Sequence, residues 1–198
     1  ALGAWLIAGS AVDIWQRAAG QFGRLSRLPR ADWGRVVAHA GLGVTFVGIS
    51  LLMAWQVEDI RVAREGESYE VAGYRITLQD VSEVEGPNYV STTAAMRVER
   101  NGREIGVLHP EKRVYPVQAM PTTEAAIRSS FWGDIYLVIG DPQQGGGWAV
   151  RSYIKPFAFW IWMGCGLMAL GGAISLTDRR WRVAATARKA APRAVAAE

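Results

Sequence analysis

The side chain in this sequence with the clearest chemical potential is the imidazole of His39. It lies in VVAHAGLGVTFVGISLL, residues 36–52, among alanine, glycine and valine. An ionisable side chain in an apolar segment long enough to cross a bilayer needs a partner. Two interpretations are open. The imidazole forms a hydrogen bond with a neighbouring helix, as polar membrane residues often do, or it binds haem iron, for which histidine is a common axial ligand.

Small residues surround His39, namely Ala38, Ala40, Gly41 and Gly43. Gly43 is one helical turn from His39 on the same face, so we expect it to leave clearance for a broad, flat ligand such as haem. A b-type haem held between two helices also requires a second axial ligand. The sequence offers no other histidine at membrane depth, so we expect that ligand to come from outside this chain.

Other reactive side chains do not form a recognisable site. Cys165 is the only cysteine and lies in an apolar segment, where we expect it to pack. His109 precedes a proline at a predicted strand end and is interpreted as an ordinary exposed histidine. No zinc spacing, phosphate-binding glycine loop or catalytic triad can be assembled from these residues. Trp132 and Trp148 are predicted to lie in the core of a β domain.

Three apolar stretches predict helices. Residues 33–55 and 156–177 each supply about the 20 residues needed to span a bilayer, and we expect both to be transmembrane. Residues 1–22 contain a shorter apolar stretch that stops before Asp13, and we expect a truncated transmembrane helix with its cytoplasmic end. Asp32 is predicted to cap the second helix, and Pro156 to begin the third.

Charge is distributed unevenly along the chain. The basic loop at 23–32 and the tail at 178–198 are rich in arginine, whereas residues 56–155 carry 11 basic and 14 acidic side chains. Short basic segments remain cytoplasmic, so residues 56–155 are predicted to be periplasmic and the protein to lie in the bacterial inner membrane. The tail has too little apolar area to fold and is predicted to be disordered. No basic stripe indicates nucleic-acid binding.

The middle segment reads as an all-β domain. YRITLQDV and AAMRVER alternate apolar and polar residues, and Asn101-Gly102 predicts a tight hairpin turn. Further strands are expected at 135–140 and 148–154, whereas residues 122–130 are predicted to form a short helical turn that starts from a threonine cap. Five to seven short antiparallel strands favour a small barrel or sandwich. The predicted class is therefore a helical membrane protein with an inserted all-β domain.

Several sequence blocks, taken in order, resemble the C-terminal third of the CcmF-type cytochrome c maturation proteins. The blocks are LPRADWGRVVAHAGLG, GPNY, PEKRVY, TEAAI and WAVRSYIKPFAFWIW. This family is the haem lyase subunit of cytochrome c maturation system I. Its nitrite-reductase-associated paralogue NrfE is similar enough that both branches stay open.

The resemblance implies a function for His39. Members of the family receive haem from a haem chaperone and attach it to the CXXCH thiols of apocytochrome c, together with other maturation subunits. A separate membrane b-type haem with two histidine ligands keeps the transferred iron reduced, with electrons from a donor such as quinol. AHAGLG matches the motif of the second ligand, which implies that His39 binds haem b iron. The family's other haem ligands lie upstream of Ala1, so the segment alone is not expected to be catalytic.

A non-enzymatic alternative remains open. In that interpretation the chain is a membrane-anchored periplasmic β scaffold for assembly of an envelope complex, and His39 is a helix-packing residue without a redox cofactor. The two hypotheses differ in whether the intact protein carries a haem.

Overall fold

The computed structural model describes residues 1–117 and 120–178, and the predicted tail from residue 179 onward lies outside them. The described residues form four α-helices and ten β-strands. The helices are α1 Leu2–Arg17, α2 Phe22–Leu25, α3 Arg30–Trp55 and α4 Ala158–Leu176. The strands are β1 Val57–Ala63, β2 Ser68–Val71, β3 Tyr74–Glu85, β4 Val90–Arg100, β5 Arg103–Leu108, β6 Glu111–Tyr115, β7 Met120–Glu124, β8 Ala126–Ser130, β9 Gly133–Pro142 and β10 Trp148–Pro156.

The chain divides into two compact units. The helical unit comprises Ala1–Ile49 and Trp160–Glu198, and the β domain comprises Ser50–Phe159. Two of the described helices, α3 and α4, are long and apolar enough to cross a membrane. Helix α1 has 16 residues, fewer than the roughly 20 that a span requires.

Glycines set the packing of α3 against α4 in the helical unit. Gly34, Gly41 and Gly48 recur every seven residues and lie on one face of α3. A Cβ atom at Gly34 would lie 2.5 Å from the carbonyl oxygen of Gly171, and one at Gly41 would lie 2.7 Å from that of Gly164. The two backbones therefore approach too closely for any side chain, which is the packing mode that small residues permit between apolar helices.

The start of α3 differs from the prediction. The helix begins at Arg30, three residues before the predicted Trp33. The backbone N–H of Ala31, in the first turn, donates to the Asp178 carboxylate at 2.9 Å, whereas the Asp32 carboxylate accepts a hydrogen bond from Arg17 at 3.0 Å. The predicted Asp32 cap is therefore wrong, because a carboxylate distant in sequence satisfies the helix end.

The β domain consists of two antiparallel sheets. One has the strand order β1-β10-β9-β8, and the other has the order β2-β3-β4-β6-β7 with β5 also paired to β4. The predicted hairpin between β4 and β5 is confirmed, since Asn101 and Gly102 have φ angles of 52° and 73°, which suit a tight turn. Strands β5 and β6 follow one another along the same edge of β4.

The two sheets enclose a core that the alternation in the sequence predicts well. Ile76 and Leu78 of β3 are fully buried, as are Met96 and Val98 of β4. The second sheet contributes alternate residues of β9 and β10, namely Ile135, Leu137, Ile139, Val150 and Ile154. Period-two alternation arises because successive strand side chains point to opposite faces. The alternative of a sandwich, rather than a closed barrel, is the one observed.

Three predictions for this region are wrong. Residues 122–130 form parts of β7 and β8 instead of a helical turn, because they pair with β6 and β9 respectively. Ten strands replace the predicted five to seven, since β1 and β2 also pair into the sheets. Trp132 is 66% exposed and lies in a turn, whereas Trp148 packs against the core as predicted.

The second predicted membrane helix starts later than expected. Pro156 ends β10, where it pairs with Gly133, and α4 begins at Ala158. Between them, Phe157 has a φ of 60°, and its N–H donates to the Trp132 carbonyl at 2.9 Å. Strand β10 thus continues through Pro156, because the hydrogen bond from Phe157 to Trp132 keeps this part of the chain beside the β8–β9 turn.

Candidate functional site

The imidazole of His39 has a defined orientation on α3. Its Nδ1 lies 2.8 Å from the backbone carbonyl oxygen of Arg35, one turn earlier in the helix. A carbonyl oxygen only accepts hydrogen bonds, so Nδ1 must carry the proton when this bond forms. The neutral ring then has its lone pair on Nε2, and no residue in the described part of the chain hydrogen bonds to that atom.

This arrangement is the one that metal-binding histidines commonly use. A ring N–H donated to a backbone carbonyl fixes both the tautomer and the ring orientation, and it leaves the other nitrogen available to a metal. The His39 ring is exposed on the surface of the helical unit. The Nδ1–H tautomer therefore leaves the Nε2 lone pair free on an exposed ring.

A groove of about 300 Å³ lies beside His39, between α1 and α3. Trp5, Leu6 and Val36 make part of its lining apolar. Gly9 and Ser10 of α1 supply small residues to the same lining, and a Cβ atom at Gly9 would contact nothing within 4 Å. The groove therefore has an apolar wall and open space beside Gly9.

Gly43 does not have the predicted role. A Cβ atom at Gly43 would lie 2.7 Å from the Ile7 side chain and 2.8 Å from the Gly3 carbonyl oxygen. Helix α1 therefore covers this glycine, which permits the two helices to approach. The open space in the groove lies instead at Gly9 on the facing helix.

The polar end of the groove is closed by an ion-pair network. Arg35 pairs with Asp13 at 2.6 Å, and Arg17 pairs with Asp13 at 3.2 Å and with Asp32 at 3.0 Å. Asp13 and Arg35 also line the groove. The two arginines and two aspartates balance in charge and join α1 to α3, and one of them, Arg35, is also the residue whose carbonyl oxygen orients His39.

The remaining candidates from the sequence are not brought to this site. Cys165 and His109 are both exposed, and His109 belongs to the β domain. Among residues 1–117 and 120–178, no three histidine, cysteine, aspartate or glutamate side chains lie close enough to hold a metal ion.

The β domain matches a known family. The family model described as the CcmF C-terminal β-sandwich covers residues 54–156, a range that contains all ten strands. The chain belongs to the CcmF family. The predicted resemblance is therefore confirmed.

Curated CcmF relatives resemble the chain over nearly its whole length. It is 64% identical to the cytochrome c-type biogenesis protein ccl1 of Rhodobacter capsulatus over 100% of its residues. It is 43% identical to CcmF of Pseudomonas fluorescens over 92% and 40% identical to CcmF of Escherichia coli over 97%. The chain spans only 30%, 28% and 31% of the length of these three relatives, respectively.

A solved structure shares the fold. The protein titled cytochrome c haem lyase CcmF aligns with a TM-score of 0.66 and 23% sequence identity, over 85% of this chain and 29% of that one. The likeness shows that the chain shares the fold of the matched part of that protein.

Two CcmF-like sequence blocks, GPNY and PEKRVY, meet in the larger sheet. The Arg113 guanidinium lies 4.5 Å from the centre of the Tyr89 ring, and the Tyr89 and Tyr115 rings pack edge to face at 5.6 Å. Arg113 also pairs with Glu111 at 2.8 Å. Hydrogen bonds to Glu111 and Tyr115 raise the pKa of the Arg113 guanidinium further above its usual value. These blocks therefore stabilise the hairpin geometry of β3, β4 and β6.

A second polar network lies between the sheets. Tyr69 Oη and Ser152 Oγ are 2.9 Å apart in the buried interior, and burial raises the pKa of the Tyr69 phenol. Arg61 stacks over the Tyr69 ring at 4.4 Å and binds Asp59. The hydrogen bond from Arg61 lowers the pKa of the Asp59 carboxyl, although burial opposes this change. The network satisfies polar groups at the sandwich end rather than forming an open site.

Sequence reasoning missed the residues of α1 that face His39. Gly9, Ser10 and Asp13 carry no motif, and their proximity to His39 depends on how α1 crosses α3. One signal was available. The seven-residue spacing of Gly34, Gly41 and Gly48 predicts a close helix contact on that face, so a ligand would have to use a different face of α3.

Proposed function

We propose that this chain is part of the haem lyase of cytochrome c biogenesis and that His39 supplies one axial ligand to a membrane-embedded b-type haem. The observation that carries the proposal is the hydrogen bond between His39 Nδ1 and the Arg35 carbonyl. It leaves Nε2 unprotonated, which is the tautomer that iron requires, and His39 lines the groove. Membership of the CcmF family supports the same reading, since the solved CcmF is titled a cytochrome c haem lyase.

The residues of this chain would hold the haem in three ways. His39 Nε2 would bind iron, while Trp5, Leu6 and Val36 would contact the apolar macrocycle. Gly9 would provide clearance on the opposite helix. A buried bis-histidine haem supplies electron transfer at a potential set by its ligands and surroundings. The second histidine would come from the part of the protein outside this chain.

The proposed haem would serve covalent attachment of a different haem to the CXXCH thiols of apocytochrome c. That second haem would arrive from a haem chaperone, and electrons would come from a membrane donor such as quinol. Other cytochrome c maturation subunits would be the protein partners. The sequence leaves open whether the general or the nitrite-reductase branch uses this protein.

We further propose that α3 and α4 span the bacterial inner membrane and that the β domain is periplasmic. Both helices are long and apolar enough to span. The basic residues lie before α3 and after α4, which the positive-inside rule places in the cytoplasm. His39 would then lie about 14 Å along the helix from Arg30, at 1.5 Å per residue, in the cytoplasmic half of the bilayer.

Replacement of His39 by alanine in the intact protein tests the ligand role. We expect His39→Ala to abolish the absorption spectrum of the six-coordinate b haem while membrane insertion persists, because alanine cannot bind iron. Added imidazole should restore part of the spectrum. His109→Ala is the matched control, since it removes the other histidine of this chain, and it should leave the spectrum unchanged.

Retention of the full haem spectrum by His39→Ala would show that His39 is not the ligand. A colourless wild-type protein, purified intact from cells supplied with haem, would instead favour the alternative of a membrane-anchored β scaffold without a redox cofactor.

A further inference from the structure

The turn between β8 and β9 exposes two large aromatic side chains. Phe131 and Trp132 occupy its two central positions, between Ser130 and Gly133. Trp132 is 66% exposed and Phe131 is 46% exposed. Exposed apolar residues that lie together on a surface usually mark a contact with a partner or a membrane.

The geometry of the turn does not require aromatic residues. Tight hairpin turns favour glycine, asparagine and aspartate because these residues adopt positive φ angles easily. The β4–β5 turn follows this rule with Asn101-Gly102, and the β2–β3 turn follows it at Gly73, although its other central residue is Ala72; all four residues have positive φ. Phe131 and Trp132 do not belong to the preferred residue types, and neither has a positive φ. Their identity is therefore explained by what their side chains contact.

The turn lies at the end of the β domain where the chain enters its two long apolar helices. Val57 of β1 pairs with Ile154 of β10, so both connections leave the sandwich at one end. The Trp55 and Phe157 rings lie 5.9 Å apart there. The N–H of Phe157 donates to the Trp132 carbonyl at 2.9 Å, which fixes the turn against the same connection.

Aromatic rings join the turn to the helix ends. Phe131 lies 5.8 Å from Phe159, near the start of α4, and 5.1 Å from Trp132. Trp132 lies 6.4 Å from Phe157. Gly133 permits this close fit, because a Cβ atom there would lie 2.7 Å from Pro156 Cα. The five rings of Trp55, Phe131, Trp132, Phe157 and Phe159 form one cluster, called here the aromatic base.

The next layer of the domain has the chemistry of a lipid headgroup region. Lys155 Nζ lies 4.7 Å from the Tyr136 ring and 5.3 Å from the Tyr153 ring. Tyrosine and tryptophan concentrate at membrane–water interfaces, and a lysine there extends its charge toward phosphate and water. With distance from the turn, the side chains thus change from phenylalanine and tryptophan to tyrosine accompanied by a lysine ammonium group.

We propose that the Phe131–Trp132 turn inserts into the lipid interface and holds the β domain on the bilayer surface at a third point, beside the ends of α3 and α4. This inference rests on the proposed membrane span of these two helices, because the aromatic base is continuous with their ends. It is independent of haem. The ligand is the phospholipid interface at the depth of the carbonyl and glycerol groups.

Quenching of tryptophan emission by brominated phospholipids tests the insertion. The intact protein is placed in nanodiscs whose acyl chains carry bromine either near the headgroup or near the bilayer centre. Trp132→Phe is compared with Trp148→Phe, a matched control because Trp148 packs against the β core. Both changes remove one indole and retain an aromatic ring.

The two variants should shift the quenched fraction in opposite directions. Trp132→Phe removes an emitter that shallow bromine quenches, so the quenched fraction should fall, and the lost emission should be several-fold more sensitive to shallow than to deep bromine. Trp148→Phe removes an unquenched emitter, so the fraction should rise. Equal shifts in the two variants would overturn the insertion. It would also be overturned if the emission lost in Trp132→Phe were emission that neither brominated lipid quenches, which is the result expected if another protein covers the turn.

A failure of the membrane placement itself would look different. In that case alkaline carbonate would extract the wild-type protein from membranes, and brominated lipid would quench none of its emission. Insertion of the helices with an unquenched Trp132 would contradict only the turn's contact with lipid.

Discussion

The helical unit and the β domain are stabilised by different parts of the chain. In the helical unit, backbones contact each other directly, because Gly34 and Gly41 of α3 leave no room for a side chain against α4. In the β domain, fully buried side chains such as Ile76, Leu137 and Ile139 fill the space between two sheets. The glycine contacts thus bring one face of α3 against the backbone of α4, whereas the β core is filled by side chains from both sheets.

The two regions also differ in the surroundings of their polar side chains. The face of α3 that carries His39 borders an open groove with apolar walls, because the glycine face of the same helix is used for packing. The β domain instead pairs its polar groups with each other, as Tyr69 and Ser152 do. The proposed haem ligand thus belongs to the helical unit, and the proposed lipid contact belongs to the β domain.

Core truncation should have the largest effect if side-chain burial holds the β domain together. Ile139 is fully buried, and Ile139→Ala should cost about 2–5 kcal/mol of unfolding free energy through lost burial and a residual cavity. Ile127, on the adjacent strand, is 53% exposed and provides the same substitution as a control. Urea dependence of protease resistance in residues 56–155 of the intact protein measures both.

The Ile127→Ala variant should change the unfolding free energy by only a few tenths of a kcal/mol, as exposed substitutions usually do. Similar losses in the two variants would contradict the view that the interior between the sheets carries the stability of this domain.

A methyl group placed between α3 and α4 should have the next largest effect. A Cβ atom at Gly171 would lie 2.5 Å from both the Gly34 carbonyl oxygen and the Ala38 nitrogen, whereas one at Gly172 would contact nothing within 4 Å. Gly171→Ala should therefore destabilise the helical unit by about 1–3 kcal/mol through overpacking. Thermal unfolding in detergent, followed by helical circular dichroism, measures the loss.

Gly172→Ala makes the same chemical change at the neighbouring residue and should be neutral or slightly stabilising, since alanine favours helix formation. The comparison between the regions fails if both variants behave alike, because backbone contact would then not distinguish the two faces of α4.

The success of sequence reasoning differed between the regions for physical reasons. Alternation located most of the core strands, because a sheet with one buried face imposes a period of two on its sequence. It failed at residues 122–130, where Thr122 begins a pattern compatible with a helix cap and only pairing with β6 and β9 decides the outcome. Local propensity is weaker than such tertiary pairing.

The candidate site shows the same limit. His39 was identifiable because a histidine in an apolar segment is rare and costly. The role of Gly43 could not be identified in the same way. A glycine on a helix either leaves space for a ligand or permits close helix packing, and which of the two applies depends on the element that faces it. The facing residue is Gly3 of α1. No pattern within α3 reports that contact, and the same reason concealed Gly9 and Asp13.

The smallest expected effect concerns charge in the β domain. Arg61 lowers the pKa of the Asp59 carboxyl below its ordinary value, chiefly by a hydrogen bond. A carboxyl with a lowered folded-state pKa stabilises the fold at pH values above its unfolded pKa of about 3.9. That contribution disappears as the pH falls through the folded value. The side chains are 36% and 25% exposed, so the loss should be only about 0.2–1 kcal/mol.

Unfolding free energies measured between pH 6 and pH 3 should separate this pair from the other carboxyls. Asp59→Asn and Arg61→Gln should each reduce the acid-induced loss of stability, and the double variant should reduce it no further, because the two changes remove one interaction. Additive changes would mean that Asp59 and Arg61 titrate against different partners. If both variants lose as much unfolding free energy in acid as the wild type, the Asp59–Arg61 ion pair does not contribute to stability. The β domain would then depend on apolar burial alone.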